Sequence, residues 1–228
     1  MKPGILVVIG PTASGKKKFA MKAAERYGGE IVSADSRKVY RFLDIGTAKP
    51  SQEDRARIPH HLIDIIDPDE PFSAGEWVRL ASEAVEDILS RGVLPIISGG
   101  TGFYLEAFQN GLTESIDADQ GVRNKLENEL EEKGLNSLYN TLKNVDPARA
   151  AELHENDAFR IMRALEVYYS TGKPFSALGN EPRVTGGDYD YYIIGLRIER
   201  EELYKRIGLR HVPGERRHAA PGRNQDDV

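Results

Sequence analysis

The sequence contains no cysteine, which excludes a disulfide framework, a thiolate zinc site and a cysteine nucleophile, and fits a reducing compartment. Histidine metal ligation stays open. Any long hydrophobic run is missing too. The first apolar stretch, Ile5 to Ile9, ends at Gly10-Pro11. That is too short for the core of a signal peptide or for a membrane span, so the expectation is a cytoplasmic protein without membrane contact. Excess positive charge is also absent: 31 Lys and Arg against 36 Asp and Glu leave a formal net charge of -5. This excludes a broadly basic nucleic-acid surface, and any such contact has to come from a local patch. There is no internal repeat and no low-complexity tract. What remains, 39% hydrophobic residues in a 228-residue chain, suffices for one main domain with a smaller one appended.

What is present begins with "ILVVIGPTASGKKKFAMKAAERYG", Ile5 to Gly28. A β-branched run leads into a Gly-bounded turn, and Lys16 to Tyr27 then carries apolar residues at helical spacing. Gly10, Gly15 and Lys16 fit the core of a P-loop, whose backbone N–H groups and helix N-terminus converge on phosphate oxygens. The diphosphate- or nucleotide-binding residues are therefore expected to be Gly10, Pro11, Thr12, Ala13, Ser14, Gly15, Lys16 and Lys17. Lys17 stands where a Ser or Thr hydroxyl would coordinate Mg²⁺, and an ammonium has donors but no acceptor. No metal ligand can be assigned with certainty. Lys17 is either a solvent-facing lysine or a charge that stands in for the metal.

The segments Glu30–Ala34, "HLIDIID" (61–67), "VLPIIS" (93–98) and "YDYYIIGLRI" (189–198) read as further extended stretches. A helix from Ser73 to Arg91 and another opening at "GGTGFY" (99–104) alternate with them. Alternation of this kind predicts an α/β fold, a P-loop NTPase-like parallel sheet flanked by helices, with ligands beyond the carboxyl ends of the strands. From Thr113 to Gly187 the texture changes to amphipathic helices with no strand-like run. The expected division is a core over 1–112, an all-helical insertion over 113–187, a return to the core over 188–207 and an aberrant or disordered tail over 208–228.

Three loops then meet at the strand ends: the P-loop, "SADSRKVYRFLDIGTAKP" with Asp35, and "GGTGFY" with Thr101. Taken singly, the last two could be a capped turn and an ordinary glycine turn. Together they supply phosphate donors, a carboxylate and a hydroxyl, which is the inventory of an active site. In the insertion, Arg160 and Arg163 share a helix face and Arg123 opens another helix. By spacing alone, solvated arginines are the default there.

These stretches, with "HHLIDIIDPDEPFSAGEW" and "NDAFRIMRALEVYYSTGKP", make the chain similar to bacterial tRNA dimethylallyltransferases over about residues 4 to 207. The resemblance implies transfer of a dimethylallyl group from dimethylallyl diphosphate to N6 of adenosine 37 in the anticodon loop of tRNAs that read codons beginning with U. It implies Asp35 as general base and Thr101 as a hydroxyl contacting the reacting adenosine. The tRNA contacts it implies are Asp35, Ser36, Arg37, Lys38 and Thr101, together with Arg123, Phe159, Arg160, Ile161, Met162 and Arg163. It further implies a cytoplasmic monomer that uses Mg²⁺, here weakened by Lys17.

Three departures stand against that pattern. They are Lys17 itself, Lys38 in place of the usual Gln, and the loss of periodicity after about Ile207, which is the mark expected of a truncated or frameshifted gene. Two other outcomes stay open, a P-loop kinase acting on a small metabolite or nucleotide and an inactive remnant of the transferase. A kinase would need the missing loop hydroxyl for its metal.

Overall fold

A computed structural model of the chain describes residues 2–113, 119–180, 183–184 and 187–211. Along the chain, β1 (Gly4–Ile9) leads through the P-loop to α1 (Lys16–Tyr27), followed by β2 (Gly29–Ala34), α2 (Gln52–Arg57), β3 (His60–His61), α3 (Ala74–Ser90), β4 (Leu94–Gly99) and α4 (Gly102–Asn110). Next come β5 (Leu112–Thr113), α5 (Gln120–Lys133), α6 (Leu135–Val145), α7 (Pro147–Glu152), α8 (Ala158–Thr171), β6 (Arg183–Val184), β7 (Asp190–Gly195) and α9 (Arg200–His211). Among the described residues no helix is long and apolar enough to cross a membrane.

Five strands form one parallel sheet in the order β3-β2-β4-β1-β7. Strand β1 is flanked by β4 and β7, which explains its nearly continuous apolar run, because an interior parallel strand meets packing on both faces. Ile5, Val7 and Val8 are buried in consequence. Helix α1 lays Ala20, Met21, Ala23 and Ala24 against Val8, Ile31, Ile58 and Ile96. Its small residues let the helix approach the sheet closely, and each large aliphatic side chain buried there contributes roughly 1.5–3 kcal/mol. The helix ends at Gly28, whose N–H reaches Ala24 O.

Two compact units are distinguished. The first holds the sheet and comprises the chain to Ser73, Arg79–Leu105 and the segment from Asp188; the second comprises Ala74–Val78 and Glu106–Gly187. In the second unit, Asp119, Asp146 and Asp157 cap α5, α7 and α8 by accepting from first-turn N–H groups, the usual remedy for unpaired donors at a helix start. Leu126, Leu138, Leu142, Ile161 and Leu165 form its core, and Trp77 meets Phe108 edge-on with ring centroids 6.0 Å apart.

Several expectations need correction. Segment 113–187 does contain strand, since β6 pairs antiparallel with β5 through Leu112↔Val184 and Thr113↔Arg183; a two-residue ladder is too short to leave a period. The extended stretch expected over 61–67 stays in the sheet only at His60–His61. Leu62 and Asp64 then turn left-handed, with φ of 59° and 57°, and the chain returns as a single bridge from Ile66 to Tyr40. The tail expected from residue 208 starts inside α9, which runs to His211; residues 212–228 lie outside the described residues.

Candidate active site

The first unit gathers the chemistry-bearing loops at the carboxyl ends of β1, β2 and β4. The loop after β1 is bent by Gly10, Ala13 and Gly15, with φ of 153°, 65° and 93°. A side chain at Gly10 would come within 2.8 Å of Leu196 O, so glycine allows the chain leaving β7 to seat beside the loop. Gly15 precedes α1 without a side-chain cap, which leaves the first-turn N–H groups directed at whatever anion the loop receives. Lys16 Nζ donates to Gly10 O at 2.6 Å and Pro11 O at 2.7 Å, folding its charge over the loop. The buried hydroxyl of Ser14 has no hydrogen-bond partner, a polar atom of the kind that a ligand oxygen satisfies.

Beyond β2 and β4 the spacing is closer still. The two strands run in register with Ala34 opposite Gly99, where a Cβ on Gly99 would sit 1.9 Å from Ala34 O. Only glycine lets β4 deliver Thr101 next to the end of β2. Thr101 N–H donates to Ala34 O at 3.1 Å, and Thr101 Oγ1 accepts from Ser36 N–H at 3.0 Å. Asp35 accepts from Arg37 N–H through Oδ1 at 3.0 Å, and its Oδ2 lies 3.6 Å from Lys38 Nζ. Burial pushes the nearby Tyr104 phenol up to about 12, with the Tyr40 and Asp35 charges adding to the effect.

These loops enclose one cleft of about 590 Å³, lined by residues that include Thr12 to Lys17, Asp35, Arg37, Lys38 and Thr101. The structure therefore brings together the expected phosphate loop, the carboxylate and the hydroxyl. Arg123 and Phe159 to Arg163 belong to the second unit. There Phe159 is exposed and Ile161 is fully buried, Arg160 pairs with Asp157, and Arg163 pairs with the buried Glu166 at 2.7 Å. Arg123 lies 3.8 Å from Glu127.

Other residues that line the cleft or support its wall were not legible in the sequence. Lys49, whose side chain is 4% exposed, donates to Tyr40 O, Asp44 Oδ1 and Asp64 Oδ1. This single ammonium ties down the loop of residues 36–50, which contributes Gly46, Thr47 and Ala48 to the cleft. His60 lines it as well, with Nδ1 2.7 Å from Ile58 O, and burial holds its pKa below the ordinary histidine value. The partners of Lys49 are scattered over more than twenty positions, so no local spacing signals the hub.

Lys17 also finds an unforeseen partner. Its Nζ lies 2.6 Å from Asp54 Oδ2, and Asp54 closes a capping box with Ser51 at the start of α2. Burial raises the Asp54 carboxyl, but hydrogen bonds from Lys17 and Ser51 outweigh it and leave the group below its ordinary value. Lys17 is thus an ion-paired lysine of the cleft wall. A Mg²⁺ ion at a P-loop relies on a hydroxyl lone pair at this position, and an ammonium already bound to a carboxylate provides none. The residues present do not fit the metal there.

The family model described as IPP transferase matches residues 38–212. The chain is 48% identical over 209 residues to a tRNA dimethylallyltransferase of Geobacter sulfurreducens, covering 92% of this chain and 67% of that protein. It thus spans about two thirds of the length of the curated relatives it matches. Among solved structures, it is similar to a eukaryotic dimethylallyltransferase acting on tRNA, with a TM-score of 0.76 and 33% identity over 91% of this chain and 52% of the other. A tRNA delta(2)-isopentenylpyrophosphate transferase from Staphylococcus epidermidis gives a TM-score of 0.57 and 40% identity over 92% of this chain and 68% of the other.

Proposed function

The chain belongs to the IPP transferase family, and from that premise we propose that it prenylates tRNA, transferring a dimethylallyl group from dimethylallyl diphosphate to N6 of adenosine 37. The observation that carries this reading is that Asp35 and Thr101, from adjacent strands, line the same cleft as the phosphate loop. An allylic diphosphate offers that loop the same handle as a nucleotide. Its backbone donors and Lys16 stabilise charge growing on the departing diphosphate, where preorganised donors act most strongly.

In the reaction a bond forms between adenine N6 and C1 of the dimethylallyl group while the C1–O bond to diphosphate breaks. The pair of electrons from that bond leaves with the diphosphate. N6 gives up a proton, which Asp35 accepts as general base. The adenine has to leave its stack to reach the cleft, and Thr101, fixed by the Ser36 N–H, holds the base edge beside the diphosphate. Arg37, Lys38, Arg123 and Arg160 serve as positioning contacts to the RNA backbone. Incubation of the chain with labelled dimethylallyl diphosphate and an anticodon stem-loop RNA tests the proposal. Label recovered in N6-modified adenosine supports it, and phosphoryl transfer from ATP without prenylation would replace it with a kinase.

A further inference from the structure

The ion pair at the mouth of the phosphate loop carries a consequence for the ligand's charge state. In an ordinary P-loop the residue after the lysine contributes a hydroxyl to a divalent cation, and the cation bridges phosphate oxygens. Here that residue is Lys17, which lines the cleft, and its ammonium is fixed 2.6 Å from the carboxylate Oδ2 of Asp54, a residue that lines a neighbouring hollow with Lys17. The carboxylate is itself immobilised, since Asp54 N–H donates to Ser51 Oγ and Asp54 Oδ2 accepts from Ser51 N–H, both at 3.1 Å. A cation placed at the loop would face a positive charge instead of a lone pair.

We propose that this loop binds the diphosphate as the metal-free anion, with the Lys17 ammonium, positioned by Asp54, in the place of the divalent cation. The proposal rests on the diphosphate assignment of the loop made above and adds its charge partner. The ammonium supplies one positive charge with three donors, so it can keep its bond to Asp54 while another N–H turns to a phosphate oxygen. Lys16, the first-turn N–H groups of α1 and Lys17 together then neutralise a ligand that elsewhere brings its own metal. Asp54 acts through Lys17 and is a positioning residue.

Calorimetric titration of the full chain with inorganic diphosphate, in excess EDTA and in excess Mg²⁺, tests this. The unaltered chain is expected to bind at least as tightly in EDTA as in Mg²⁺. Lys17→Thr restores the hydroxyl and is expected to bind about tenfold more tightly with Mg²⁺ than without. Lys17→Met removes the charge and adds no ligand, so its affinity in EDTA drops about tenfold and Mg²⁺ does not recover it. Asp54→Asn keeps the lysine and stays independent of metal. Thermal unfolding of each variant shows whether it remains folded. Tight binding by the unaltered chain only in Mg²⁺ overturns the proposal while leaving the transferase assignment in place; no saturable binding in either buffer overturns both.

Discussion

Ser36 donates its backbone N–H to the hydroxyl oxygen of Thr101 across 3.0 Å, joining the loop after β2 to the loop after β4 within the cleft. This bond fixes the rotamer of a side chain that lines the cleft and satisfies a half-buried donor at once. Thr101→Val keeps the shape but orphans that N–H, at a cost on the order of 1 kcal/mol in stability. Transfer is expected to fall further than stability does, because the hydroxyl proposed to contact the adenine is lost as well. Thr101→Ser restores both functions, and comparing kcat with the unfolding midpoint of the two variants separates them.

Glu30 gives the fold a defined acid sensitivity. It is 8% exposed, accepts from Arg91 Nη1 and Nη2 at 2.5 and 2.9 Å, and lies 2.7 Å from His61 Nε2. The Arg91 hydrogen bonds outweigh burial and, with His61, lower its pKa from 4.5 to about 2. Because the folded value is the lower one, the stabilisation is complete above about pH 4.5 and is lost as the pH falls towards 2. The shift corresponds to at most about 3 kcal/mol, reduced by water around the half-exposed Arg91. Glu30→Gln is expected to lose that stability at neutral pH and to flatten the dependence in this window, as urea unfolding at several pH values will read out.

Lys49 is expected to be structural to the cleft without touching substrate. Lys49→Met leaves the half-buried Asp64 with Arg55 alone. Losing the buried ammonium from a network whose carboxylates still reach water is expected to cost on the order of 1–3 kcal/mol. Hydrogen exchange in residues 36–50 is expected to accelerate well beyond that of β1. Equal loss of protection in both would mean that the ammonium supports the whole sheet and not the loop.

The two arginines of α8 are expected to behave differently. Arg160 is the more exposed and pairs with Asp157 at the helix start, so Arg160→Ala is expected to weaken tRNA binding and flatten its salt dependence with little change in stability. Arg163 holds Glu166, a buried carboxylate, and Arg163→Ala leaves that charge short of a partner. Its first effect is expected on the unfolding midpoint. Filter binding across a salt series, alongside thermal unfolding, distinguishes the roles.

How much of this the sequence disclosed depends on the range of each interaction. Lys16–Tyr27 was legible as a helix because its alanines recur on one face and Gly28 closes it, and the sheet strands were legible from short β-branched runs. Asp35 and Thr101 could be named from their loops. The Lys17–Asp54 pair could not, since it joins the first helix of the chain to the second across thirty-odd positions, and the unusual lysine at the end of the loop carries no local sign of its partner. The Glu30–Arg91–His61 cluster was hidden for the same reason. Left-handed Leu62 and Asp64 defeated the strand pattern that their neighbours carry, and a ladder as short as β5 with β6 has no period to detect.

Single-turnover transfer to an anticodon stem-loop RNA, measured for the unaltered chain and for Asp35→Asn, tests the account most directly. Asp35→Asn keeps the side chain's size and removes its capacity to take the N6 proton, so transfer is expected to slow on the order of a hundred- to ten-thousand-fold while inorganic diphosphate binds nearly as before. Undiminished transfer by Asp35→Asn, or no prenylated adenosine from the unaltered chain, would contradict it.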